Sequence, residues 1–299
     1  MGKFELAVCK KEINRCSRIY KGFSNAGPFV EAVCKSADSF FQENPVTLSP
    51  VFDAEAAERQ IRAGESIDLN PVFATEDIIN LLKRISEAVA KVNPKLKGTV
   101  KGLKERFDHF LSDSPSEVSK EEVFAWRDLL IKEAVLEKDL ATFLFSISIS
   151  SFYRQHLQSI IEVLRTDLWE GGDCPTCGER PHFGMLRSED GAKQLECWLC
   201  GTGWVHTRIK CPFCSSEEPE KLGYFTVEDS ETCRINFCRS CCHYYKIFDL
   251  RKFNTDSEIV LTIHNLATLT YDLLASKEGF SPGSGLQWVN DHEVSDKLD

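Results

Sequence analysis

Between Ile78 and Val89 the apolar residues Ile78, Ile79, Leu82, Ile85 and Val89 fall three or four positions apart. That spacing lines one face of an amphipathic helix. Asn93-Pro94 closes the pattern, since a residue before proline avoids the helical region. Ser114-Pro115-Ser116 reads as a loop, and Ser119 with Glu122 has the spacing of a capping box. The box predicts a helix carrying Val123, Phe124, Trp126, Leu129, Leu130 and Val135.

The stretch Leu140–Leu168 sends two signals. FLFSISIS alternates as a strand would, whereas Ile149, Phe152, Tyr153, His156, Leu157, Ile160, Ile161 and Leu164 keep helical spacing. One long helix is expected, with small serines where another helix packs closely. The helical region is taken to end at Glu170-Gly171-Gly172-Asp173. Further on, YYKIFDL after Cys242 reads as a strand, and Glu258–Ser276 as one helix with Leu266, Leu269 and Leu273 on its apolar face. Residues 281–299 are polar and read as a tail.

Composition sharpens this picture at one point. The chain has 299 residues, of which 42% are hydrophobic and 27% charged, a balance that supports a folded core. Cysteine is the exception: ten of 13 lie between Cys174 and Cys242. The start of the chain lacks the apolar core of a signal peptide, and Leu140–Ile149 is too short to span a bilayer. A cytoplasmic protein without membrane insertion is therefore expected, where a cysteine cluster binds metal or does redox chemistry more readily than it forms disulfides. The net charge is −10, and no large segment is basic: residues 174–246 carry 9 Lys and Arg against 10 Asp and Glu. That balance disfavours nucleic acid as a partner.

Eight of the ten cysteines form four Cys-x-x-Cys pairs: Cys174/Cys177, Cys197/Cys200, Cys211/Cys214 and Cys238/Cys241. Each such turn puts two thiolates on one side of a tight loop, and two turns face to face supply a tetrahedral set of four sulfurs. Pairing in sequence order joins the first two turns and the last two. An interleaved pairing uses the same residues, and spacing leaves both open. Two metal ions are expected per chain, iron or zinc, in closed all-thiolate sites with no position for substrate. Gly178 and Gly201 follow their knuckles and suit a left-handed turn, but Ser215 and Cys242 stand where glycine is expected in the other two. Cys233, Cys242, His206 and His243 are expected outside the ligand sets. No catalytic constellation appears. Gly279-x-Ser281-x-Gly283 has proline after the serine and only a polar tail beyond, so it is a chance match to a hydrolase elbow.

The expected fold is α+β. A helical domain (1–170) precedes two tandem rubredoxin-like or zinc-ribbon modules (171–208 and 209–280), the second ending in a C-terminal helix, and then the tail (281–299).

CPTCGERP (Cys174–Pro181), CWLCGTGWVHTRIKCPFC (Cys197–Cys214), CRSCCHYYKIFDL (Cys238–Leu250) and HNLATLTYDLLASKEGF (His264–Phe280) together resemble the FdhE family of formate dehydrogenase accessory proteins. The resemblance covers about residues 170–280. His264-Asn265 departs from an acidic pair frequent in the family, and Ser215 from the usual knuckle glycine. The resemblance implies a cytoplasmic, non-enzymatic maturation factor. Such a factor binds the catalytic subunit of formate dehydrogenase before its export, holds iron or zinc in two rubredoxin-like sites, and is compatible with a homodimer. The competing readings are a zinc-ribbon nucleic-acid binder and a thiol or iron redox sensor using Cys233 and Cys242.

Overall fold

The computed structural model describes residues 5–45, 52–227, 230–253 and 259–283. Its elements begin with α1 (Leu6–Ile19), α2 (Phe23–Glu43) and α3 (Ala54–Arg62). A short strand β1 (Phe73–Ala74) leads into α4 (Thr75–Val92), followed by α5 (Lys97–Asp113), β2 (Glu117–Val118), α6 (Lys120–Lys132) and α7 (Lys138–Ile161). The chain then turns to β-structure, with β3 (Phe183–Leu186), β4 (Lys193–Glu196), β5 (Gly203–Val205), β6 (Leu222–Thr226), β7 (Cys233–Cys238) and β8 (His243–Asp249). Helices α8 (Leu261–Ala267) and α9 (Leu269–Lys277) and the strand β9 (Ser281–Pro282) close the described region. The fold class is α+β, as expected.

Two compact units emerge, one of residues 1–51 and 70–159, the other of residues 52–69 and 160–299. In the first unit, α1 packs on α2, α2 on α4 and α4 on α5. The apolar stripe of α4 is buried as its spacing predicted, with Ile78, Ile79, Leu82 and Ile85 at 0% exposure. The capping box also forms: the Ser119 hydroxyl accepts from the Glu122 amide and the Glu122 carboxylate accepts from the Ser119 amide. The ambiguous stretch is a helix, but it ends at Ile161 and not at Leu168. Its two signals share one cause. The helix is buried nearly all round, so apolar residues on every face blur the period. The buried hydroxyls of Ser148 and Ser151 donate to the Leu144 and Ile147 carbonyls, which removes the cost of burying them. Phe40 and Phe73 pack against Phe152 of this helix, and Cys9, Cys16 and Cys34 are buried core residues.

In the second unit the two ribbons form one sheet. The strand order is β5-β4-β3-β8-β7-β6. The strands within each ribbon are antiparallel, and β3 joins β8 in parallel, with Phe183 opposite Lys246 and Leu186 opposite Asp249. Residues 52–69, early in the chain, belong to this unit. Asp53 caps α3 by accepting from the Ala56 amide at 3.0 Å. Beyond the helix, the amides of Ile67 and Leu69 donate to the Pro175 and Thr176 carbonyls at 2.8 and 2.7 Å.

Residues 160–173 also fold with the sheet unit. The Trp169 indole donates to the Asp173 carbonyl at 2.8 Å, and a Cβ at Gly172 would collide with the Pro212 carbonyl. The Gly171-Gly172 pair is therefore a site of close packing. The single helix expected over 258–276 is two, α8 and α9, broken at Thr268, and Glu258 lies outside the described residues. The tail begins in order: β9 pairs in parallel with the start of β8, and the Ser281 amide donates to the Cys242 carbonyl at 2.9 Å. Residues 284–299 lie outside the described region.

Candidate metal centres

The same backbone device builds three of the four knuckles. In the first, the Cys174 amide donates to the Glu179 carbonyl and the Gly178 amide returns to the Cys174 carbonyl. Cys197 with Thr202 and Gly201, and Cys211 with Ser216 and Ser215, repeat that pair of bonds. The return bond needs a left-handed residue after the second cysteine. Gly178 and Gly201 supply it with φ of 72° and 79°. Ser215 and Cys242 adopt the same conformation, at 59° and 56°, despite their side chains. The sequence departs from glycine there, and the turn geometry survives.

These turns bring the eight paired cysteines together in sequence order. Cys174, Cys177, Cys197 and Cys200 form one cluster and Cys211, Cys214, Cys238 and Cys241 the other, with the sulfurs of each within 4.8 Å of one another. Sγ–Sγ separations are 3.6 Å for Cys174–Cys200 and Cys177–Cys197, and 3.7 Å for Cys211–Cys241 and Cys214–Cys238. A tetrahedron with metal–sulfur bonds of about 2.3 Å has edges of about 3.8 Å. The donor set and the spacing thus fit one four-coordinate thiophilic ion per cluster, and both zinc and iron meet that description.

The clusters differ in their surroundings. All four cysteines of the first are buried, at 0–3% exposure, whereas Cys214 is exposed and Cys241 half-buried in the second. Thr202 ties the first together, its hydroxyl lying 3.1 Å from the Cys200 sulfur and donating to Thr176 at 2.8 Å. Burial pushes the Cys197 thiol well up. At Cys200 burial also pushes upward, but its side-chain hydrogen bonding with Cys174, Cys177, Cys197 and Thr202 outweighs it and holds the thiol well below its usual value. A bound cation would favour the thiolate form that its ligands must adopt. In the second cluster the Phe213 amide points at the Cys211 sulfur at 3.4 Å.

His206 and His243 stand outside both clusters. The His206 ring bonds the Thr207 carbonyl and the His243 ring the Cys241 carbonyl. Burial, aided by Lys193, holds the His206 imidazole down to about 4. Cys233 is buried in β7, where desolvation pushes its thiol up to about 12, and it joins neither cluster. Cys242 is exposed and fills the left-handed position of the fourth knuckle.

Residues 173–208 match the family described as FdhE, central domain, and residues 209–286 the family described as FdhE, C-terminal domain. Residues 173–286 are FdhE-type. It is 29% identical to an FdhE homolog of Aquifex aeolicus over 187 residues, which is 60% of either chain. It is 27% identical to FdhE of Salmonella newport over 206 residues, covering 68% of this chain and 63% of that one. An FdhE homolog of Pseudomonas aeruginosa matches at 34% over 36% of each. The alignments therefore span less than two thirds of these relatives. The crystal structure of FdhE from Pseudomonas aeruginosa shares the fold, with a TM-score of 0.63 at 18% identity over 97% of this chain and 96% of that one. Among the described residues, no helix is long and apolar enough to cross a membrane.

Sequence reasoning missed a buried polar cluster behind the sheet. Lys246 of β8, at 0% exposure, donates to the Asp272 carboxylate at 2.7 Å and to the Asn265 carbonyl at 3.0 Å. The Tyr244 hydroxyl donates to the other Asp272 oxygen at 2.8 Å. The break between α8 and α9 lies at this cluster. Lys246 donates to the Asn265 and Thr268 carbonyls, and the Thr268 hydroxyl to the His264 carbonyl. A visible signal existed: a lysine among the apolar residues of YYKIFDL and an aspartate among those of LTYDLL. His264 is fully buried with its ring against Phe248 and Phe253.

Proposed function

We propose that this chain is a non-enzymatic accessory protein for formate dehydrogenase. In this reading it acts in the cytoplasm, binds the catalytic subunit before export and holds one iron or zinc ion in each four-cysteine cluster. Cys174, Cys177, Cys197 and Cys200 are the ligands of the first ion, and Cys211, Cys214, Cys238 and Cys241 those of the second. Residues 171–208 and 209–280 act as its two ribbon modules. The observation that carries the reading is the coincidence of both four-cysteine clusters with the regions that match FdhE domains. Four thiolates complete a tetrahedral shell, so the ions would brace the sheet and leave no open position for a substrate. The chain's own contribution is a preformed scaffold: knuckle turns that aim the sulfurs, and a shared sheet that fixes one ribbon against the other.

The test is co-purification of the tagged, metal-loaded chain from a host that makes formate dehydrogenase, combined with elemental analysis. Recovery of the catalytic subunit with about two metal ions per chain supports the reading. Repeated recovery of metal-loaded chain without that subunit would overturn the accessory role.

A further inference from the structure

In a chain of net charge −10, residues 88–104 hold five lysines and no acid. The first unit folds this stretch into a groove of about 380 Å³ between α4 and α5. Its floor is Ala90 and Val100, at 6% and 7% exposure. Lys91, Lys97, Lys101 and Lys104 rim it. A single carboxylate, Glu87, lines it and is engaged with Lys104 at 2.6 Å. Among the described residues Lys91, Lys97 and Lys101 have no carboxylate partner.

This arrangement is costly within the unit. Lys97 and Lys101 are four apart on α5, where like charges repel. The first turn of α5 also has no acidic residue, although the helix dipole favours one there. A local rule broken with no internal compensation marks a place where an external group supplies the missing charge. We infer that the α4–α5 groove docks an acidic peptide segment, its carboxylates meeting Lys91, Lys97 and Lys101 and a small aliphatic side chain seated on Ala90 and Val100. Charge complementarity identifies the occupant. No aromatic side chain lines the groove to stack on bases, as a single-stranded nucleic-acid site would need. Lysine ammonium groups, which are point charges, suit scattered carboxylates as well as they suit phosphate. The inference rests on the proposed client-binding function and names the surface that would serve it.

The test uses the full, metal-loaded chain and a fluorescein-labelled peptide of alternating glutamate pairs and leucines, read by anisotropy, beside a labelled oligothymidine of equal charge. Lys97→Glu with Lys101→Glu should weaken the acidic peptide at least about tenfold, while Lys132→Glu on α6 should change it by less than about twofold. Rising salt should weaken the wild-type complex. All three lysines are exposed, and a thermal melt confirms that each variant folds. Failure of the wild type to bind the peptide, or equal binding by the double variant, would overturn the inference. Tighter binding of oligothymidine, lost in the same variant, would overturn it in favour of nucleic acid. Co-purification separates the two proposals. A double variant that recovers formate dehydrogenase as well as wild type sinks the groove alone. A wild type that binds peptide but recovers no subunit sinks the accessory role and leaves the groove standing.

Discussion

The Lys246 ammonium donates to the Asp272 carboxylate at 2.7 Å, with the two side chains at 0% and 1% exposure. This pair binds β8 to α9, and Tyr244 completes the carboxylate's shell. Removing one partner leaves an uncompensated buried charge, which costs about 3–5 kcal/mol. Lys246→Met should therefore lose about that much in a urea titration of metal-loaded protein. Lys246→Met combined with Asp272→Leu should recover most of the loss, because the desolvated charge is then absent as well. An additive double variant would show that the pair does not act as a unit.

The first cluster is tested by Cys177→Ser. Three thiolates and a hydroxyl hold a thiophilic ion poorly, and binding energy in such a module is also folding energy. Metal content should fall from two ions per chain to one, and proteolysis should begin near the first ribbon. A variant that keeps two ions and full protease resistance would show that Cys177 is not a ligand.

Ser215 and Cys242 hold left-handed backbone at φ 59° and 56°. A side chain there costs about 1 kcal/mol or more relative to glycine. Ser215→Gly and Cys242→Gly should each stabilise the protein by about 1 kcal/mol in chemical denaturation. Cys242→Gly should also leave the metal content unchanged, since that thiol lies outside the cluster.

His182 and His206 are both held down to about 4, first by burial; Asp272 partly offsets this at His182, and Lys193 adds to it at His206. The unfolded chain binds these protons near pH 6.5, before the folded one does. Stability is therefore full above about pH 6.5 and falls as pH drops toward 4, by about 1.4 kcal/mol per unit for each imidazole. Urea midpoints at stepped pH, with metal content followed in parallel, check the slope. His206→Gln should reduce it.

Local signals were legible along the chain. The Ser119–Glu122 box, the apolar stripe of α4 and the four knuckles each depend on residues a few positions apart, so each could be read without knowing where the rest of the chain goes. The breaks in the reading have a common origin. The helix expected over 258–276 breaks at Thr268, where Lys246, about twenty residues upstream, donates to the Asn265 and Thr268 carbonyls. The Gly171-Gly172 pair, which resembles a linker, is needed because Pro212 approaches it.

By itself the sequence determined which eight cysteines can face one another, because Cys-x-x-Cys spacing fixes a turn and a turn fixes the direction of two sulfurs. It also determined the helical character of the first unit through its periodicity. Only the tertiary structure decided that the two ribbons share one sheet through β3 and β8, that residues 52–69 run along the first knuckle, and that a lysine and an aspartate are buried together behind the sheet. Those features join positions tens of residues apart in the chain. Their stability comes from backbone bonds and desolvated charges that exist only once both partners are in place.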